Sequence, residues 1–293
     1  MIMKRLVLTL AAMLALFTAN AEEKTKTYDF GDITSINAGG TYQIHVTEGK
    51  SKKVKVVYDD AIEKYQTLDV RYSGGTLNLF IKQAKPLKNW TDNSKIHVYL
   101  EMDDIYDLDL SGAANATFTG EFRTENLDLD ISGAASLNDL VINGQSMEAD
   151  ITGAASAGVA GNFSKIIEVD ISGAAKLTLK SDAEILEADI SGASKFKCTG
   201  NFKECEISCS GASNAEMEGK VGKADYECSG ASNIDAQDLV AKTVDVELTG
   251  ASKAKVNASE DLYYNVSRSS KMTYYGDAKL HNRNTDTNVV RGR

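Results

Sequence analysis

The chain has 293 residues, 42% of them apolar, 25% charged and 7% aromatic, which excludes an intrinsically disordered polymer. Its 32 Lys and Arg face 42 Asp and Glu, a formal charge of −10, so the cationic surface that neutralises nucleic-acid phosphates is missing and DNA and RNA are excluded as partners. The 23 glycines beside a single proline, Pro86, fit many tight corners between extended segments and rule out a collagen-like repeat.

Residues 1–21 combine Lys4 and Arg5, an apolar run from Leu6 to Phe17 and a closing Ala19-Asn20-Ala21, the pattern of a secretory signal peptide cut after Ala21. The run is too short to span a bilayer and nothing comparable follows it, so no membrane insertion is expected after cleavage. Loss of Lys4 and Arg5 leaves a mature chain of charge −12 outside the cytoplasm.

Residues 22–293 read as one β-helix domain. From Thr27 to Leu100 the chain is strand-rich (TYQIHV, KKVKVVYDD, TLDVRY, TLNLFIK, KIHVYLE) but shows no corner motif, and Gly39-Gly40 and Gly74-Gly75 read as turns between strands. A solenoid end exposes unpaired edges, so residues 22–100 are expected to be irregular opening coils that cap it.

Residues 101–278 are dominated by a repeat. Ser/Thr-Gly-Ala begins at Ser111, Ser132, Thr152, Ser172, Ser191, Ser210, Ser229 and Thr249, with a degenerate copy at Ser267; the intervals run from 18 to 21 residues. Each corner follows an alternating segment such as LDLDI or LEADI, the mark of a strand with one buried face. A unit so short buries its apolar face only by stacking on its neighbours. Aligned on the Ser/Thr, inward columns stand one, three and five residues before it (Leu110, Leu108 and Tyr106 in the first copy) and resume after it at Ala116, Leu137, Ala157, Leu177 and Phe196. Further turn signals at Gly120, Gly161, Gly200 and Gly219 suggest two or three strands per coil, with Phe122, Phe163, Phe202 and Val221 inward. Coils that return in the same direction make parallel sheets, and crossover handedness then predicts an all-β, right-handed parallel β-helix of about nine coils. An up-and-down barrel would not hold one corner sequence in phase. Residues 279–293 have no apolar period and read as a frayed polar tail.

The outward positions carry the chemistry. Two residues before the corner stand Asp109, Asp130, Asp150, Asp170 and Asp189, then Ser208, Glu227 and Glu247; four before stand Asp107, Asp128, Glu148, Glu168, Glu187, Glu206, Asp225 and Asp245. Rungs about 4.8 Å apart place like charges at a cost of about 1 kcal/mol per pair in water. Two readings follow: weak calcium-type binding along Asp109, Asp130, Asp150, Asp170 and Asp189, or a solvated acidic face that keeps a β-rod soluble. Lys176, Lys195, Lys253 and Lys271 share one position past the corner with Asn214 and Asn233, an exposed row suited to a polysaccharide or simply the end of a turn. Tyr263, Tyr264, Tyr274 and Tyr275 cluster in the last coil, half of them inward by alternation. Cys198, Cys205, Cys209 and Cys228 fall in apolar columns; buried thiols are one reading, a Cys209–Cys228 disulfide between coils the other. His45, His97 and His281 have no nucleophile or metal-ligand spacing, and a hydroxyl repeated at every corner is no unique nucleophile, so no catalytic residue and no bound cofactor is expected.

The iterated LDLDISGA, EVDISGA and ADISGAS strings, after an opening FGDITSINAGGTYQIHV, resemble the auto-transporter adhesin head domain family, also called the GIN domain family, of Gram-negative envelopes. The likeness runs from about Tyr28 to Leu280. It implies a right-handed β-helix and a non-enzymatic adhesion role, with no catalytic residues to carry over. The expected protein is an extracytoplasmic binding module, periplasmic or on the cell surface of a Gram-negative bacterium, whose partner is a glycan or a protein of the envelope or host. A β-helix polysaccharide lyase or glycosidase and a structural envelope accessory protein are the alternatives.

Overall fold

A computed structural model describes residues 23–64, 66–83, 95–283 and 288–292; the expected leader lies outside the described residues. The chain is 74% strand and winds into a parallel β-solenoid of about nine turns, with every strand joined in one hydrogen-bonded sheet system. Among the described residues there is no α-helix.

The corner sets the repeat. In Ser172-Gly173-Ala174, Gly173 sits at φ +80°, and the equivalent glycines from Gly112 to Gly250 lie at φ +70° to +80°, a region nearly closed to residues with a Cβ. The alanine after each glycine donates its N–H to the carbonyl of the corner glycine one turn earlier: Ala154 to Gly133, Ala174 to Gly153 and Ala193 to Gly173, each at 2.7 Å. The corners therefore form their own ladder at one edge of the rod. A Cβ on Gly192 would lie 2.5 Å from the Gly173 carbonyl oxygen. The residue next in line, Ala114, Ala135, Ala155 and Ala175 in the early turns, then Ser194, Ser213, Ser232, Ser252 and Ser270, is buried throughout. Ser232 and Ser252 tie their hydroxyls back to the Ser229 and Thr249 carbonyls at 2.8 Å.

Between corners the chain runs as long bent strands, Ser136–Ile151, Ser156–Ile171, Lys195–Cys209, Asn214–Cys228, Asn233–Leu248 and Lys253–Val266. The separate segments expected from the glycine turn signals are thus mostly one continuous strand, whose ladder slips only at bulges. Variation in coil length is absorbed at bulges far from the corner: Asp139, at φ 59°, sits where the ladder slips between Leu137 and Leu140. The inward columns are buried as the alternation requires, Leu110, Ile131, Ile151 and Ile171 among them. Tyr106 departs from its column: it is 44% exposed, and Ile105 fills the inward place because the chain enters the first repeat one residue out of phase.

The opening segment differs from the expectation in one instructive way. It contains β1 (Glu23–Asp29), β2 (Ser35–Gly40), β3 (Tyr42–Glu48), β4 (Lys53–Asp59), β5 (Gln66–Ser73), β6 (Thr76–Gln83), β7 (Ile96–Met102), β8 (Asp107–Gly112) and β9 (Asn115–Thr119). β2 and β3 stack in parallel register directly on β8 and β9, with Gly39 opposite Ser111 and Gly40 opposite Gly112. Ala113 donates its N–H to the Gly40 carbonyl, so the turn at Gly39-Gly40, between β2 and β3, is a concealed copy of the corner. β6 and β7 lie on the far side of β2 and β3. β5 then closes β6 antiparallel, and β4 closes β7 antiparallel with β1 outside it, which ends the parallel stacking direction. Glu63 pins this cap by accepting hydrogen bonds from Lys24 Nζ at 2.7 Å and Tyr58 Oη at 2.6 Å.

The tail is also corrected. Lys279–Asn282 and Val289–Arg291 pair in parallel with the preceding turn, so the segment expected to fray forms a last partial coil. Its signal was hidden because its strands are only four and three residues long, too short to show a period.

The corner geometry predicts a sharp contrast. Gly192→Ala should lower unfolding free energy by more than about 2 kcal/mol or leave the chain insoluble, whereas Gly158→Ala, whose Cβ would meet nothing nearer than 3.9 Å, should change it by less than about 0.5 kcal/mol. Urea denaturation of the two variants checks this; equal effects would contradict the stacked corner.

Candidate functional site

The strands before each corner project the two acidic files onto one face because alternation puts every second side chain outward. The ladder is in register: Asp109, Asp130, Asp150, Asp170 and Asp189 are successive partners, with Asp107, Asp128, Glu148, Glu168 and Glu187 beside them. The files continue through Glu206 and Ser208 to Asp225 and Glu227 and then Asp245 and Glu247. At the N-terminal side the inner file turns neutral at Asn37 and Asn78. At the other end Tyr263 and His281 replace the acids. There Arg283 clamps Asp245 through two hydrogen bonds of 2.9 and 2.8 Å and lies 5.3 Å over Tyr263. Tyr263 stacks on His281 at 4.4 Å, and His281 shares a hydrogen bond with Asp261 at 2.7 Å.

Crowding leaves a trace in acidity. Burial first, and neighbouring carboxylates second, push Asp107, Asp109, Asp170, Asp225 and Glu227 above the ordinary carboxylate range. Shallow concavities run along the face, among them one of about 250 Å³ lined by Ala149, Val169 and Ala188 and one of about 310 Å³ between the gap at Ser208 and the corner hydroxyls Ser191, Ser210 and Ser229. The sequence-expected calcium file is therefore brought together as a row. Among the described residues, however, no three His, Cys, Asp or Glu side chains converge as metal ligands. The arrangement offers separated oxygens rung by rung and no chelating cage.

Past the corner, Asn115, Ser136, Ser156, Lys176, Lys195, Asn214, Asn233, Lys253 and Lys271 form a single outward polar file on the second face. All four cysteines are buried free thiols, and burial holds Cys198 and Cys205 far above the usual thiol range. Cys209 and Cys228 are direct partners on adjacent turns. Of the tyrosine cluster, Tyr264 is buried, while Tyr263, Tyr274 and Tyr275 are half-buried.

One grouping escaped the sequence. His45 and His97 meet ring to ring, Nε2 to Nδ1 at 3.1 Å, with Tyr99 stacked on His45 at 4.8 Å. Burial, then the His97 ring, keeps His45 below the ordinary imidazole range. No local spacing signals a pair 52 residues apart; only the register of β3 on β7 reveals it.

The sequence model of the family described as "Putative auto-transporter adhesin, head GIN domain" matches residues 32–166 and again 159–278. The chain belongs to this family. The second match falls on the stacked coils, and the first takes in the antiparallel cap strands and the concealed corner at Gly39-Gly40. A crystal structure described as a "putative adhesin" from Parabacteroides distasonis ATCC 8503 is 17% identical over 93% of this chain and 98% of its own, with a TM-score of 0.50, a likeness of fold. A "putative lipid binding protein" from the same strain is 16% identical over 94% of this chain and 98% of its own, at a TM-score of 0.47. A "putative adhesin" from Parabacteroides merdae ATCC 43184 is 15% identical with the same coverages and TM-score. No functionally curated protein matches the chain.

The ladder predicts an acid-side gain in stability. A carboxyl whose folded pKa lies above its unfolded value favours folding when protonated, so its contribution grows as pH falls from neutral toward the ordinary carboxylate range near 4. His45 acts in the opposite sense, so the readout is a difference between proteins. At low salt, the melting temperature of an Asp107→Asn/Asp109→Asn variant should exceed wild type at pH 7 and converge on it near pH 4. Asp170→Asn should add a few tenths to about 1 kcal/mol at pH 7, a gain that about 1 M salt screens away. Loss of stability in both variants would contradict the reading.

Proposed function

We propose that this chain is a non-enzymatic, extracytoplasmic, adhesin-like binding module that presents long sheet faces to glycans, proteins or other envelope components. The observation that carries the reading is the in-register stacking of the outward files that flank the corners, a repeated surface that suits a repeated ligand. Family membership supports the adhesin-like role and an envelope location, and the leader read in the sequence supports export. The enzyme alternative needs a unique acid–base constellation, and the ladder instead offers near-identical carboxylates on every rung.

The test is a glycan array probed with the mature chain, alongside a depolymerase assay on the same polymers. Binding without cleavage is expected; cleavage abolished by Asp150→Ala would replace this reading with a lyase or glycosidase. Calcium is expected to act on the ladder only as a weak multi-site counter-ion, with a melting shift appearing at millimolar concentration and no discrete stoichiometry by calorimetry. A stoichiometric micromolar site would contradict it.

A further inference from the structure

The second sheet face carries an arrangement that the acidic ladder does not explain. In the file that follows the corner, the residues on six successive turns are Lys176, Lys195, Asn214, Asn233, Lys253 and Lys271. The four lysines are exposed. The next outward file, two residues along each strand, neutralises itself: Lys197 pairs with Glu216 at 2.6 Å and Lys255 with Asp235 at 2.8 Å, each across one rung. Among the described residues, Lys176, Lys195, Lys253 and Lys271 form no such pair. Asn233 Nδ2 donates to Asn214 Oδ1 at 2.9 Å, so the amides between the two lysine doublets are held in a row with donors and acceptors left over for a partner.

Each doublet sets two ammonium groups on adjacent rungs, about 4.8 Å apart at the backbone, and the doublets are centred about 19 Å from each other along the rod. Like charges in register repel. A partner with anionic groups spaced along its length removes that repulsion at both doublets, and sugar hydroxyls satisfy the amides between them. A small anion or a single acidic sugar reaches one doublet only. The other candidate cover, the acidic ladder of a second copy, fits less well, because four lysines leave most of that ladder's carboxylates unmatched.

We propose that this file is the docking row for an acidic polysaccharide lying along the solenoid axis, with Lys176 and Lys195 gripping one end of the segment and Lys253 and Lys271 the other. The inference rests on the adhesin-like reading above and names the ligand class and the face.

The experiment uses the mature chain and galacturonic-acid oligomers of two and ten units, with dextran as the neutral control, by calorimetry at 50 and 300 mM NaCl. The ten-unit oligomer should bind at least 10-fold more tightly than the two-unit one, since engaging both doublets is an avidity gain, and added salt should weaken it. Lys176→Glu/Lys195→Glu and Lys253→Glu/Lys271→Glu should each reduce ten-unit binding to the level of the short oligomer. All four positions are exposed, so folding is expected to survive, and Lys220→Glu, an exposed charge reversal outside both files, serves as the variant that leaves binding unchanged. Equal binding of both lengths, or binding untouched by the lysine changes, overturns the docking row. Dextran bound as well as the acidic oligomer also overturns it but leaves a glycan-binding module standing. No binding to any polymer here or on the array removes both. A dimer in sedimentation that the lysine variants dissolve assigns the row to a second copy and overturns the glycan.

Discussion

Every other feature of this rod depends on one backbone constraint: a left-handed glycine at each of the eight Ser/Thr-Gly-Ala corners, packed so closely on the corner glycine beneath it that no side chain fits between them. The N–H of the following alanine reaches the carbonyl of the glycine below at 2.7–2.8 Å from Gly40 to Gly230. These bonds fix the height of each turn and bring like residues over like at the strands that flank the corner. Hydrophobic burial supplies the larger favourable term, but it is non-directional and would tolerate a slip. The corner ladder is what removes that freedom, and the bulges that absorb variable coil length lie away from it.

Register has a consequence for function. Once turns are locked in phase, any outward residue kept through the repeat becomes a file along the rod. Repetition of acids produces a face on which burial first, and neighbouring carboxylates second, raise the pKa of Asp107, Asp109, Asp170, Asp225 and Glu227; repetition of lysine and asparagine produces a file of cations without cross-rung acidic partners, joined by hydrogen-bonded amides. Both surfaces have a period set by the backbone and not by the side chains, so they suit extended or multivalent partners better than compact ones. A single deep pocket, the usual place for a small-molecule reaction, is not what this architecture builds most readily.

Most of the regular coils were legible because alternation and the Ser/Thr-Gly-Ala corner recur with so little interruption. Ile131, Ile151, Ile171 and Phe196 fall inward where the period puts them. What failed to read were the places where the period is broken or disguised. Gly39-Gly40 is a corner without the Ser and Ala that mark the others, and 72 residues separate Gly40 from its partner Gly112, because the cap strands β4 and β5 and the stacked strands β6 and β7 intervene in the chain. His45 meets His97 for the same reason. Tyr106 was misplaced by a one-residue phase error at the entrance to the first repeat, where Ile105 takes the core position. The acidic and lysine files were visible as columns, but which lysines are neutralised depends on cross-rung partners such as Lys197 with Glu216, which composition does not show.

Residue-resolved amide hydrogen exchange at the corners reads the coupling from coil to coil. Ala154, Ala174, Ala193, Ala212 and Ala231 sit in exposed turns, where unbonded amides exchange rapidly. Because each donates to the glycine of the turn below, their protection is expected to match that of the neighbouring core strands and to fall only with global unfolding. Exchange at the rate of free surface turns would show that the corners are not coupled from coil to coil.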